Sequence, residues 1–172
     1  MLFRVIMVLS LTLFPINVSA QEFIDQMLAV VVRTVITQSD IKVVQTLHQN
    51  HPPALAILKE RSLQSTLEFL VEVEIMYALA EGVPVYQIPK EEWLKAQESL
   101  APLLKTELGK THRDRFLYWL RLQIIAENYV QTNLGITEDY QGSIDDYQTW
   151  MADQKKRIRY RIVPEKKTDP HH

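Results

Sequence analysis

The feature that most constrains the fold is a stretch, residues 54–81, whose apolar side chains come at helical spacing and cover most of a helix circumference. One stripe consists of Leu63, Leu67, Leu70, Val71 and Ala78. Most of the remaining circumference is filled by Phe69, Val73, Ile75, Met76 and Leu79. A helix that is apolar nearly all round must be surrounded by other elements. We therefore predict a central core helix with an interruption near Arg61 and Ser62. Gly82, followed by Pro84, predicts its end.

Two carboxylates, Glu68 and Glu72, lie one turn apart on the polar side of this helix. Such a pair can perform acid–base chemistry or hold a metal. Acidic residues at this spacing are far more often a solvated helix face, and this is what we expect here.

The stretch 28–41 begins with β-branched residues, which favour a half-buried strand. These residues are Val30, Val31, Val32, Val35 and Ile36. Thr37 then has the chemistry of a helix N-cap, and Asp40 lies near the positive end of the helix dipole. We predict one strand, a cap and a helix over residues 37–50, which ends before two prolines.

The stretch 157–162 alternates strictly between arginine and apolar residues, the pattern of a half-buried strand. We expect Ile158, Tyr160 and Ile162 to point inward and the arginines outward, with the first strand as partner. The arginines could bind nucleic acid or anionic lipid. Protection of a sheet edge is the interpretation we favour, because the chain as a whole is acidic.

Cap and turn residues predict three further helices. The first begins at Pro89, has a kink or break at Pro102 and closes at Gly109. The second begins with a cap at Thr111 and runs to about Asn133. After a turn-rich connection, the third covers about 143–157 and ends in basic residues, as its dipole prefers.

These elements predict a mainly α fold, a multi-helix orthogonal bundle with a small two-stranded sheet that pairs the N- and C-terminal strands. We assign residues 21–163 to this single helical domain. Residues 164–172 form a polar tail that we expect to be disordered.

The first twenty residues have the composition of a secretory signal peptide. A basic start at Arg4 precedes the apolar run 5–14, and Val18-Ser19-Ala20 resembles a cleavage site before Gln21. An uncleaved anchor or a buried first helix is the alternative. Cleavage predicts export to the periplasm or a similar compartment, with no stable membrane insertion afterwards.

Removal of the predicted signal peptide, which contains Arg4, leaves 18 basic and 21 acidic residues, a formal charge of −3. This balance lacks the positive field that nucleic-acid binding requires. The absence of cysteine excludes disulfides, so an exported chain must be stabilised by packing alone.

The sequence contains no nucleophile elbow, phosphate loop or metal motif, so we predict no cofactor and no enzymatic activity. His48 and His51 lack the convergent carboxylates of a metal site, and we expect them to be structural or solvated. Side chains distant in sequence could still converge, which leaves a hydrolase or metal enzyme as a third hypothesis.

The second half of the chain is rich in aromatic residues, which suit adaptable recognition of apolar segments. The helix at 111–133 has two apolar stripes, of which one can serve the core and the other a second surface. The first stripe consists of Tyr118, Leu122, Ile125 and Tyr129, and the second stripe consists of Leu117, Leu120 and Ile124. Core packing is the alternative for each aromatic side chain.

Three stretches together resemble the SurA family of periplasmic chaperones. AVVVRTVITQSDI, residues 29–41, looks like the family's opening strand and helix cap. ALAEGV, residues 78–83, is similar to the end of its long helix. YQTWMADQKKRIRYRIV, residues 147–163, looks like its last helix and strand. The family's parvulin prolyl isomerase modules would lie near residues 133–142, where about ten residues leave no room for them.

The resemblance implies an ATP-independent holdase without isomerase activity, whose clients are unfolded or extended polypeptides such as outer-membrane proteins. It implies a crevice between helices, and the client-binding residues we infer are Tyr118, Leu122, Ile125, Tyr129, Trp93 and Trp150. A non-catalytic scaffold for one envelope complex is the alternative function. The sequence does not determine the oligomeric state.

Overall fold

The computed structural model describes residues 25–136 and 143–164. The predicted signal peptide, residues 137–142 and the predicted tail beyond Pro164 lie outside these ranges. The described strands are Met27–Val31 (β1), Thr34–Thr37 (β2) and Tyr160–Ile162 (β3). The described helices are Gln38–Asn50 (α1), Ala56–Gln64 (α2), Thr66–Ala80 (α3), Lys90–Ser99 (α4), Ala101–Leu104 (α5), Glu107–Thr111 (α6), Arg113–Leu134 (α7) and Ile144–Arg157 (α8). A short 3₁₀ turn, Pro84–Tyr86, precedes α4.

Helix α3 lies at the centre of the fold, as its all-round apolar surface predicts. Every residue from 69 to 76 is buried, because α1, α2, α7, α8 and the sheet pack around it. The predicted mainly α fold with a small sheet is thus confirmed. Gly82, at φ = 76°, takes the predicted left-handed conformation just beyond the helix end.

The sheet has three strands rather than the predicted two, in the order β2-β1-β3. The single first strand is a wrong prediction, because the chain reverses at Val32 and Arg33 and β2 returns antiparallel to β1. Val32 has φ = 53°, a backbone conformation that β-branched residues rarely adopt. Hairpin turns are usually recognised in a sequence by glycine or asparagine. Val32 and Arg33 are neither, so the sequence gives no signal for this turn.

Strand β3 pairs antiparallel with β1, as predicted, with Arg161 opposite Val30. The predicted burial of its apolar side chains is wrong for Tyr160 and Ile162, which are 37% and 42% exposed. Ile158, before the strand, is partly buried. The reason is position, since β3 is an edge strand while α3 packs against β1 and β2.

The predicted interruption of the central helical stretch lies later than expected, at Ser65 rather than near Arg61 and Ser62. Ser65 is extended and caps α3, its side chain accepting a hydrogen bond from the Glu68 N–H at 3.3 Å. Thr37 is the N-cap of α1, as predicted, and its N–H donates to Asp40 Oδ2 at 2.8 Å.

The helix predicted from Pro89 is divided into α4, α5 and α6. The break predicted at Pro102 lies two residues earlier, at Leu100, and Pro102 is in the first turn of α5. Closure at Gly109 is wrong, because this residue lies inside α6. Thr106 caps α6 by accepting a hydrogen bond from the Gly109 N–H at 3.0 Å. Glycine fits this position because a Cβ atom would overlap the Leu103 carbonyl oxygen of α5.

The predicted cap at Thr111 is also wrong. This residue ends α6, where its hydroxyl donates to the Glu107 carbonyl, and α7 begins after His112. The cap of α8 is as predicted, with the Ser143 side chain accepting a hydrogen bond from the Asp146 N–H at 3.2 Å.

Candidate functional site

The six inferred client-binding residues do not come together in one crevice: Trp93 lines a cavity at α4, while the Tyr118 hydroxyl donates to Glu74. Leu122, Ile125 and Tyr129 of α7 are at most 5% exposed and belong to the core. In the folded chain these three side chains present no surface to a client. The stripe that sequence reasoning assigned to binding is therefore the stripe that packs inside.

Tyr129 and Trp150 lie in one aromatic cluster that joins α7 to α8. Their ring centroids are 5.7 Å apart, and Tyr86 and Tyr147 pack on either side at 4.9 and 5.8 Å. The Tyr129 hydroxyl lies 3.3 Å from Gln154 Oε1 of α8. Aromatic pairs of this kind stabilise a helix contact, and Trp150 remains partly exposed at its rim.

Helix α4 packs against α7 and contributes no buried residue, and Leu117 of the second α7 stripe lines their contact, whereas Leu120 of the same stripe belongs to the core. Two cavities, of about 230 and 250 Å³, lie along this contact. The first is lined by Leu94, Gln97, Glu98, Leu104, Arg113 and Leu117. The second is lined by Gln87, Ile88, Lys90, Trp93 and Arg121. We call the two together the α4–α7 groove. Leu94 is 48% exposed there, so the groove offers apolar surface to solvent.

Glu72 corrects the expectation of a solvated acidic pair, because it is 2% exposed while Glu68 is 52% exposed. Its carboxylate accepts hydrogen bonds from Arg61 at 2.8 and 3.3 Å, from Lys155 at 2.9 Å and from the Tyr147 hydroxyl at 3.1 Å. The group joins α2, α3 and α8. All of its polar atoms are engaged, which fits a structural junction rather than a catalytic acid.

Glu74, two residues further along α3, forms no ion pair with any residue that the structure describes, although Arg33 lines the same cavity. Burial raises the pKa of Glu74 to about 7, and the nearby Asp40 charge adds to the rise, although hydrogen bonds with Tyr118 and Thr34 oppose it. Burial, together with this carboxylate, raises the pKa of the Tyr118 hydroxyl that donates to it. A cavity of about 280 Å³ lies beside Glu74, under the turn of the β1–β2 hairpin.

Asp40 anchors α7 to the start of α1. The Trp119 indole N–H donates to its Oδ1 at 2.9 Å, and Arg115 lies 3.0 Å from the same oxygen. Arg115 also pairs with Asp25 at 3.2 Å, beside β1. The predicted helix cap therefore serves at the same time as a tertiary anchor.

His48 is structural rather than solvated. Its ring packs edge-on against Phe69 at 5.0 Å, and its Nε2 lies 3.2 Å from Gln123 Oε1. Burial lowers the pKa of His48 to about 4, so the ring is neutral at physiological pH. A cavity of about 450 Å³ beside it is lined by Gln45, His48, Gln49, Ser62, Leu63 and Thr66. Within the described ranges no group of histidine, aspartate or glutamate could hold a metal ion.

Sequence reasoning missed Arg61, Glu74 and Lys155. One signal was available, because Glu74 is a charged residue on the helix predicted to be buried all round. The partners of these side chains are distant in sequence and gave no signal.

Comparisons with protein-family models, curated proteins and solved structures find no match for this chain. Among the helices at 25–136 and 143–164, none is long and apolar enough to cross a membrane.

Proposed function

We propose that this protein is an ATP-independent periplasmic holdase, which binds unfolded polypeptide segments, outer-membrane proteins among them, in the α4–α7 groove. The resemblance to SurA chaperones in three stretches supports the class of function. The observation that carries the site is the apolar surface of Leu94 on α4, Leu104 on α5 and Leu117 on α7, which together line a cavity that is open to solvent.

The physical character of the groove suits a client without a fixed sequence. Leucine and tryptophan side chains provide contact area that depends on apolarity rather than on precise hydrogen bonding. Arg113 and Arg121 add cationic groups that can meet acidic residues or backbone carbonyls. Since α4 buries no residue completely, it can shift against α7 at low cost, which would let the groove admit segments of different size.

The test is whether the mature protein, beginning at Gln21, suppresses aggregation of an unfolded β-barrel protein at stoichiometric ratio without ATP. We expect suppression, and we expect Leu94→Asp to weaken client affinity about tenfold, because a charge replaces an apolar contact. Leu94 is half exposed, so the free energy of unfolding should change little.

Two control variants localise the effect. Val85→Asp places the same charge at a position that is 63% exposed and outside the groove, and Leu63→Asp places it at the cavity beside His48. Both should bind client like the parent. Loss of suppression in Leu63→Asp alone would move the site to that cavity. No suppression by the parent, with one defined partner in cross-linking, would favour the scaffold function instead.

A further inference from the structure

Strand β3 has one hydrogen-bonding edge that no described element covers. The Val32 N–H donates to the Arg159 carbonyl, and the Val163 N–H donates to the Leu28 carbonyl. Since backbone groups alternate in direction along a strand, residues 159, 161 and 163 face β1. The N–H and C=O groups of Tyr160 and Ile162 therefore point away from the sheet, along the free edge.

The side chains of β3 divide by chemistry between the two faces of the sheet. Tyr160 and Ile162 lie opposite Val31 and Ala29 and share their face, yet they are partly exposed. Arg161 lies opposite Val30, on the other face. Arg159 shares this second face by alternation. The edge thus offers an apolar side and a cationic side to whatever pairs with it.

Arg159 and Arg161 differ from the basic residues that end α8, each of which has a polar partner. Lys155 is engaged by Glu72, Lys156 by Asp153 and the Arg157 guanidinium by Gln154. In residues 25–136 and 143–164, no ion pair involves Arg159 or Arg161.

We infer that the free edge of β3 receives an extended polypeptide segment in which acidic and apolar residues alternate. Added as a strand, such a segment places its carboxylates beside Arg159 and Arg161 and its apolar side chains beside Tyr160 and Ile162. A second copy of this chain fits poorly, because pairing β3 with itself brings arginines together across the strands. This inference uses a surface separate from the α4–α7 groove and does not depend on it.

The experiment is a titration of the mature protein with a fluorescent hexapeptide in which glutamate and valine alternate, followed by anisotropy. Ile162→Pro removes the outward N–H and leaves the β1 ladder bonds of its neighbours intact. We expect it to weaken binding about tenfold while Ile162→Ala, which keeps the N–H, retains most of the affinity. The thermal midpoint of both variants reports whether the sheet is intact.

Charge reversal supplies the second arm. The double variant Arg159→Glu/Arg161→Glu should lose the acidic peptide and bind a peptide in which lysine and valine alternate. Equal binding of the acidic peptide by Ile162→Pro and the parent would overturn the inference, because contact would then be ionic only. So would binding to anionic lipid vesicles without peptide binding, or concentration-dependent dimerisation through β3.

Discussion

Glu72 and Glu74 lie two residues apart on α3, and each is 2% exposed, yet only Glu72 has cations within ion-pair distance among the described residues. Glu72 is held by Arg61 and Lys155 and by the Tyr147 hydroxyl. Glu74 meets the Tyr118 hydroxyl and the negative field of Asp40, and its pKa rises to about 7. Because they are two positions apart, the two side chains point to different sides of the helix. One meets α2 and α8, and the other meets α7 and the hairpin.

The difference shows that burial alone does not determine what a carboxyl group does. Removing a carboxylate from water is costly, and the cost is offset by cations at Glu72. At Glu74 burial raises the pKa to about 7, so the cost is reduced below that pH because the group holds its proton there. The first arrangement is a junction that needs its charge, and the second is a group whose charge opposes folding.

The largest effect is expected for Glu72→Gln. This change removes the ion-pair partner of Lys155 and leaves Arg61 with only the exposed Glu68, so we expect the free energy of unfolding to fall by about 3–5 kcal/mol, measured by urea denaturation. Glu68→Gln, at an exposed position that shares Arg61, should cost less than about 1 kcal/mol. Similar small losses in both variants would remove the contrast with Glu74.

The second prediction concerns pH and Glu74. The pKa of Glu74 is about 7 in the folded chain, against the usual 4.5 in the unfolded chain. Between these two pH values the folded chain therefore binds the Glu74 proton more tightly than the unfolded chain does. The contribution of this group to stability is therefore complete at low pH and is lost as the pH rises through this window. From pH 4.5 to about 7, we expect the free energy of unfolding of Glu74→Gln to rise by about 2–3 kcal/mol relative to that of the parent.

His48 makes that comparison between variant and parent necessary. Its pKa is lowered by burial to about 4, so the unfolded chain binds the proton more tightly, and the His48 contribution rises with pH between about 4 and 6.5. The two groups thus oppose each other below pH 6.5. The difference between Glu74→Gln and the parent cancels the His48 effect. If the free energy of unfolding of Glu74→Gln and of the parent changed in parallel with pH, Glu74 would not keep its proton in this range.

A smaller effect is expected from the tyrosine hydroxyls. Tyr118→Phe removes the donor to Glu74, and we expect a loss of about 1–2 kcal/mol together with a further rise in the pKa of Glu74, followed by carboxyl NMR. Tyr147→Phe should cost less, because Arg61 and Lys155 still satisfy Glu72. A larger loss in Tyr147→Phe would reverse this order.

The smallest effect is expected for Lys155→Met. Lys155 is 27% exposed and Arg61 continues to neutralise Glu72, so we expect a loss of about 1 kcal/mol in thermal or urea unfolding. Lys156→Met, which removes an exposed pair with Asp153, serves as the control and should change the free energy of unfolding by less than about 0.5 kcal/mol. A loss equal to that of Glu72→Gln would mean that Lys155 is indispensable to the junction.

Local features of this fold follow from residues that are close in sequence. The caps at Thr37 and Ser143, the left-handed Gly82 and the burial of α3 depend on side chains within one or two turns of each other. The alternation around Arg161 also predicted the pairing of β3 with β1 correctly.

The candidate site was less predictable. Two stripes of α7 have similar apolar composition, and the sequence gave no means to tell that Tyr129 packs inside while Leu117 faces the groove. The choice depends on where α3, α4 and α8 lie around α7, which is a property of the whole fold.

What the sequence alone determined is the mainly helical fold, the central place of α3 and the pairing of β1 with β3. The tertiary structure decided the hairpin at Val32, the open side of α7 and the different states of Glu72 and Glu74. The physical reason is the distance along the chain between partners: Glu72 meets Lys155 across 83 positions and Glu74 meets Tyr118 across 44. Periodicity records which faces of a helix are apolar, but a charge acquires its partner only when the elements pack.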